Sequence, residues 1–156
     1  YIDAKNWKIP ESPIGILKEK LKNYKVNLID IVTGENYKDF IREIKKCEFI
    51  ISSSLHGVMM GVVYGKNTIF TEFSQNVAGN KFKFYDFFES LGVDYEDVGP
   101  DDDKILDNII QVKNKDLKRV GNDVINICPF IDQDRKELLV NNWNKYTNKI
   151  SSCQLI

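Results

Sequence analysis

The sequence predicts an α/β fold: a parallel sheet flanked by helices, followed by a helical C-terminal extension. Three observations predict it. Between residues 12 and 98, short apolar runs alternate with helical patterns, as in a parallel sheet with right-handed helical crossovers. The central run, "EFIISS", is nearly continuous in its apolar residues, as expected of a strand covered on both faces. Beyond residue 99, apolar residues recur at helical or mixed spacing. The 156 residues suffice for one compact domain, 1–156, with an α/β core over 12–98 and a mostly helical extension over 99–156.

The elements follow in order. "SPIGILKEKLKNY" predicts a helix with Ser12 as N-cap, Pro13 at the first helical position, and Ile14, Leu17 and Leu21 at helical spacing. "KVNLIDIV" (25–32) predicts a strand ended by Thr33-Gly34. "NYKDFIREIKKC" (36–47) is an amphipathic helix with Tyr37, Phe40, Ile41 and Ile44 on its inner face. "EFIISS" (48–53) is the central strand. "LHGVMMGVVYG" continues as a helix, with Gly65 as its C-terminal stop. "NTIFTEF" (67–73) is the next strand. "KFKFYDFFESLG" (81–92) is an aromatic helix with Phe82, Phe84, Tyr85, Phe87 and Phe88 as its core stripe. "VDYEDV" is a candidate final strand. "DQDRKELLVNNWNKYTNKI" predicts a terminal helix that packs through Leu138, Leu139, Trp143 and Tyr146.

Composition narrows the function classes. Lys+Arg and Asp+Glu nearly balance at a net charge of -1, which argues against a general nucleic-acid binder. Cys47, Cys128 and Cys153 are widely spaced and odd in number, so neither a disulfide framework nor a zinc site is indicated. A reducing cytoplasm is the simplest compartment, and the N-terminus lacks the basic-then-apolar pattern of a signal peptide. The longest apolar run, Phe49 to Tyr64, carries Ser52, Ser53, Ser54 and His56 and is too short and polar to span a bilayer.

The chemistry concentrates where the central strand meets its helix. Ligands of open α/β sheets bind beyond the carboxyl ends of strands. Helix N-termini there offer unpaired amides and a partial positive charge. Ser52, Ser53 and Ser54 add hydroxyl donors, His56 adds an imidazole that can donate or accept a hydrogen bond, and Gly57 permits close approach. An anion site for phosphate or carboxylate is one reading. An ordinary serine cap with a structural histidine is the other.

Glu72 and Ser74 also follow a strand end and can face the same crevice. Lys81 and Lys83 open the next helix and can reach an anion there, although a solvated lysine pair accounts for them equally. Lys83, between aromatic neighbours near the helix start, is the stronger of the two. Cys47 reads as a buried small hydrophobe. Contiguous Asp101, Asp102 and Asp103 suit a helix cap or a solvated turn better than a metal, so no metal is expected.

These residues resemble a known family. "CEFIISSSLHGVMMGVVYGKNTIFTEFSQNVAGNKFKFYDFFESLG" resembles the polysaccharide pyruvyl transferases, particularly bacterial ketalases of exopolysaccharide and capsule biosynthesis. The resemblance rests on Ser52 to Gly57, then Glu72 to Ser74, Gly79, Phe82, Lys83, Phe84 and Asp86, within residues 25 to 95. It implies a Rossmann-like sheet similar to the C-terminal half of a GT-B fold, with the missing N-terminal domain completing the cleft. The opening "YID" resembles the end of a strand that relatives begin upstream, in a segment that often contains Pro-His.

The implied reaction transfers a pyruvate unit from phosphoenolpyruvate to two sugar hydroxyls as a ketal. It needs no further cofactor. By resemblance, His56 contacts the donor or moves a proton, Ser53 and Ser54 bind its anionic groups, and Lys83 adds charge stabilisation. Many relatives carry arginine where this chain has Ser54, which removes a bidentate clamp. The implied partners are phosphoenolpyruvate, a sugar or lipid-linked oligosaccharide acceptor, and the N-terminal domain. The implied location is the cytoplasm, with peripheral association at the inner membrane face. Little turnover is expected of this chain alone. A GT-B-like nucleotide-sugar glycosyltransferase domain and an inactive binding module are the competing readings.

Overall fold

The computed structural model describes residues 12–29, 37–73, 81–95, 98–110 and 112–153. Among them are six α-helices and a parallel two-stranded sheet: α1 (Pro13–Lys20), α2 (Tyr37–Lys46), β1 (Phe49–Ser52), α3 (Leu55–Val63), β2 (Asn67–Phe70), α4 (Phe82–Leu91), α5 (Asn114–Ile127) and α6 (Gln133–Cys153). A 3-10 turn at Ile105–Asp107 separates α4 from α5. The chain divides into two compact units. One comprises residues 1–83 and 95–110, the other 84–94 and 111–156.

The first unit is built on β1-α3-β2. Its register pairs Phe49 with Asn67, Ile50 with Thr68, Ile51 with Ile69 and Ser52 with Phe70. Successive strand side chains point to opposite faces, and both faces are covered. Phe49, Ile51 and Ile69 pack in one cluster with Leu17 and Leu21, the latter two at the inner side and end of α1. Ile50 and Thr68 lie under Gly61 of α3 instead. This two-sided cover is why "EFIISS" is apolar at consecutive positions. Beyond β2, Thr71 forms an isolated parallel bridge with Val98, and Thr68 accepts a backbone bond from Ile110 at 2.8 Å.

The helix ends follow their sequence signals. Ser12 caps α1 by accepting from the Gly15 amide at 3.0 Å, and Pro13 occupies the first turn, where it forfeits no bond. At the end of α3, Gly65 adopts φ 65°, with Gly65 N–H donating to Val62 O and Lys66 N–H to Gly61 O. This left-handed closure is open to glycine at little cost.

The second unit contains α5 and α6. Trp143 Nε1 donates to Lys118 O at 3.2 Å, and Lys136 Nζ donates to Asn126 O at 2.7 Å, so the helices run antiparallel. Gly121 makes room for the Trp143 indole.

Five expectations need correction. Residues 25–29 carry no strand pairing, and 30–32 lie outside the described residues; Lys25 and Leu28 are exposed and only Val26 packs on the core. In α4 the buried stripe is Phe84, Phe88 and Leu91, whereas Phe82 and Tyr85 are exposed. In α2, Ile44 is buried and Tyr37 is exposed. In α6, Leu138 and Leu139 are exposed and Thr147 is fully buried. Thr147 can occupy the inward position because its hydroxyl donates to Trp143 O at 3.0 Å, which removes the cost of burying it unpaired. The "VDYEDV" strand reduces, among described residues, to the bridge at Val98.

Candidate functional site

β1 delivers Ser52 to the carboxyl edge of the sheet, and the chain turns at Ser53 and Ser54 into α3. Ser52 does not point outward as a free hydroxyl. Its Oγ accepts from the Ser54 amide at 3.1 Å and donates to Ser54 O at 3.2 Å. It also fills the space beside Gly57, where a Cβ would lie 2.2 Å from Ser52 Oγ and 2.9 Å from Ser52 Cβ. The close approach at Gly57 is therefore made by a side chain of the same turn.

Ser54 is the N-cap residue of α3, with extended backbone (φ -100°, ψ 132°), and its side chain makes no capping bond. The first intrahelical bond runs from Val58 N–H to Ser54 O at 3.0 Å. Helix geometry leaves the amides of Leu55, His56 and Gly57 without an intrahelical acceptor. Ser12 at α1 shows the contrast, since that side chain does cap its helix. Ser53 and Ser54 are partly buried, and His56 is exposed in the first turn of α3. An exposed imidazole beside uncapped amides and the positive end of a helix can bind an anion and exchange a proton with it.

Parallel pairing brings the end of β2 to the same edge. Thr71 N–H donates to Ser52 O at 3.2 Å, and Thr71 Oγ1 donates to Val98 O at 2.5 Å, which fixes the next segment beside it. Glu72 follows at once. Its carboxylate lies 3.5 Å from Lys81 Nζ, with 24% of the Glu72 side chain and 43% of the Lys81 side chain exposed. Lys81 is thus drawn to an acid, and the pair brackets a segment that contains Ser74, which lies outside the described residues together with Gly79. Lys83 is partly buried in the first turn of α4.

Sequence reasoning did not single out Thr71, which is fully buried and holds the sheet edge together. A threonine directly after a strand, ahead of a polar residue, is too common a pattern to mark it. The acidic turn is also engaged. Lys20 Nζ donates to Asp101 O and pairs with Asp103 Oδ1 at 2.5 Å, while Asp102 Oδ1 accepts from the Lys104 amide at 2.7 Å. Among the described residues, no group of three or more His, Cys, Asp or Glu side chains is arranged to hold a metal. Cys47 is partly buried, and its Sγ donates to Glu43 O at 3.3 Å. No helix among the described residues is long and apolar enough to cross a membrane.

Residues 3–74 match the family model described as Polysaccharide pyruvyl transferase, somewhat under half of the chain. The matched stretch starts upstream of residue 25, contains Ser52 to Gly57 and Glu72 to Ser74, and stops before Lys81 and Lys83. No curated protein and no solved structure matches the chain. The match supports polysaccharide pyruvyl transfer at the level of the family, and with it a transferase function.

Proposed function

We propose that this chain is the C-terminal domain of a polysaccharide pyruvyl transferase that takes phosphoenolpyruvate as donor and builds a pyruvate ketal on a sugar. The family match over residues 3–74 is the premise. The observation that carries the reading is the exposed His56 in the first turn of α3, beside amides that Ser54 does not cap, at the carboxyl edge of a parallel sheet.

The donor's phosphate and carboxylate suit that helix end, since both are anions and both accept hydrogen bonds. Ser53 and Ser54 add hydroxyl donors from the same turn. His56 moves a proton: it protonates the methylene carbon of the enol or accepts the proton of an attacking sugar hydroxyl. One hydroxyl proton ends on the new methyl group. The other leaves with inorganic phosphate as the second hydroxyl closes the ketal, so the exchange balances without a redox step. Glu72, paired with Lys81 near the same edge, is an acid that can face the acceptor hydroxyl. Lys83 supplies positive charge from α4.

In this reading the sheet is the Rossmann-like half of a GT-B-type enzyme, and an N-terminal domain supplies the other wall of the cleft. The acceptor is a sugar or a lipid-linked oligosaccharide. The full enzyme then works in the cytoplasm at the inner face of the membrane.

The test is a titration of the chain followed by backbone amide NMR, comparing phosphoenolpyruvate with inorganic phosphate, pyruvate and uridine diphosphate. Selective shifts at Ser53 to Gly57 with phosphoenolpyruvate, lost in His56→Ala, are expected. Stronger shifts with uridine diphosphate would replace this reading with a nucleotide-sugar glycosyltransferase.

A further inference from the structure

The Ser54 side chain makes no capping bond, whereas the hydroxyl of Ser52 is committed twice, to the amide and to the carbonyl of Ser54. The same oxygen occupies the space that a side chain on Gly57 would need, with a built Cβ at 2.2 Å. One hydroxyl therefore touches both ends of the segment that carries His56: the cap residue on one side and the first helical turn on the other. We infer that Ser52 is the positioning residue of this site and not one of its ligands, and that Ser52 and Gly57 act as a coupled pair that fixes where His56 and its neighbouring amides point. This rests on the proposed donor reading for its functional consequence, but the geometric pairing stands apart from it.

The mechanism is local. With Ser54 tied through both its N–H and its C=O, neither of the two peptide units that flank its Cα can rotate without breaking a bond to Ser52. Ser54 O is also the acceptor for Val58 N–H at 3.0 Å, so the first intrahelical bond depends on the orientation of the second of these peptides, between Ser54 and Leu55. Gly57 lets α3 settle onto the hydroxyl. A larger residue there would lift the first turn and carry His56 with it.

The experiment uses the full chain with Ser52→Ala, Gly57→Ala and the double variant Ser52→Gly with Gly57→Ala. Amide hydrogen exchange at Ser54, amide shifts at His56 and Gly57, and the dissociation constants of phosphoenolpyruvate and inorganic phosphate are measured. In Ser52→Ala, Ser54 exchange is expected to quicken by roughly tenfold, the effect of losing about one hydrogen bond. The His56 and Gly57 signals move, and affinity for both anions falls together with them. Gly57→Ala moves the same signals, and adding Ser52→Gly returns the fold while affinity stays weak, because the overlap is gone but the tether is not restored.

A loss of affinity in Ser52→Ala with Ser54 exchange and the His56 signal unchanged would make Ser52 a ligand and overturn the proposal. Unchanged values throughout would overturn it too. A wild-type chain that binds neither anion removes the donor reading. In that case faster Ser54 exchange with displaced His56 and Gly57 signals still upholds the positioning by Ser52, and undisplaced signals refute it.

Discussion

Gly61 of α3 lies against Thr68 of β2 so closely that a Cβ on Gly61 would fall 2.4 Å from Thr68 Oγ1 and 3.2 Å from Ile50 Cβ. Gly57, one turn earlier, stands in the same relation to Ser52, two residues beyond Ile50 on β1. Four helical residues advance about 6 Å and two strand residues about 6.6 Å, so the two glycines keep step with the strand beneath them. The helix that presents His56 is seated by these contacts.

Gly61→Ala is therefore expected to destabilise the chain by about 1–3 kcal/mol, the usual cost of forcing a methyl into a filled site. Thr68 is fully buried and donates to Lys66 O at 2.9 Å, so it cannot swing away cheaply. The midpoint of urea unfolding measures it. An unchanged midpoint would mean that α3 rides higher on the sheet than described.

Thr71→Val keeps the shape of a buried side chain and removes the bond to Val98 O. Leaving a buried carbonyl short of a donor costs roughly 1–3 kcal/mol. The loss is expected in the unfolding midpoint, with quicker amide exchange at the Thr71–Val98 bridge. A variant as stable as the parent would show that this hydroxyl contributes nothing to the sheet edge.

Asp103 has its carboxyl held below the ordinary value of 3.8, first by the hydrogen bond from Lys20 and then by the lysine's charge. A depressed folded-state pKa stabilises the fold above the unfolded value, and the contribution disappears as pH falls through the folded one. Asp103→Asn is thus expected to flatten the fall of melting temperature below about pH 4, and to matter less in high salt because the pair is exposed. Identical acid profiles for both proteins would remove any role for the pair.

Burial pushes the Cys47 thiol above its ordinary value, with Lys66 opposing and Glu43 adding to the shift. Since the thiolate is the reactive form, alkylation of Cys47 by iodoacetamide at neutral pH is expected to be slower than that of glutathione, and to quicken as pH rises. Peptide mass spectrometry after timed quenching reads this residue alone. Labelling as fast as glutathione would contradict the burial.

Much of the fold was legible because its signals are local. Ser12-Pro13 marks the start of α1, Gly65 the end of α3, and the run from Phe49 to Ser52 a strand covered on both sides. The failures share a cause. Thr147 goes inside while Leu138 and Leu139 stay outside because side-chain bonds and the antiparallel partner helix choose the face of α6, and hydrophobicity alone does not report either. Residues 25–29 have strand-like composition but no paired neighbour among the described residues, and pairing is a property of two segments. For the site, the residue types at the strand–helix junction were readable, whereas their division of labour was not. Ser52, Ser53 and Ser54 look alike in one dimension.

The sequence by itself determined the order of elements from α2 to β2 and the position of "SSSLHG" at the end of a strand covered on both faces, because periodicity and capping act within a few residues. It also carried the family resemblance, through the same motif. Only the tertiary structure decided that Ser52 is spent on the backbone N–H and C=O of Ser54, that Gly57 and Gly61 seat α3 on the sheet, that Lys81 meets Glu72 and that Lys20 meets Asp103. Each of those joins residues through a hydrogen bond, an ion pair or a steric limit in three dimensions, and one-dimensional spacing fixes none of them.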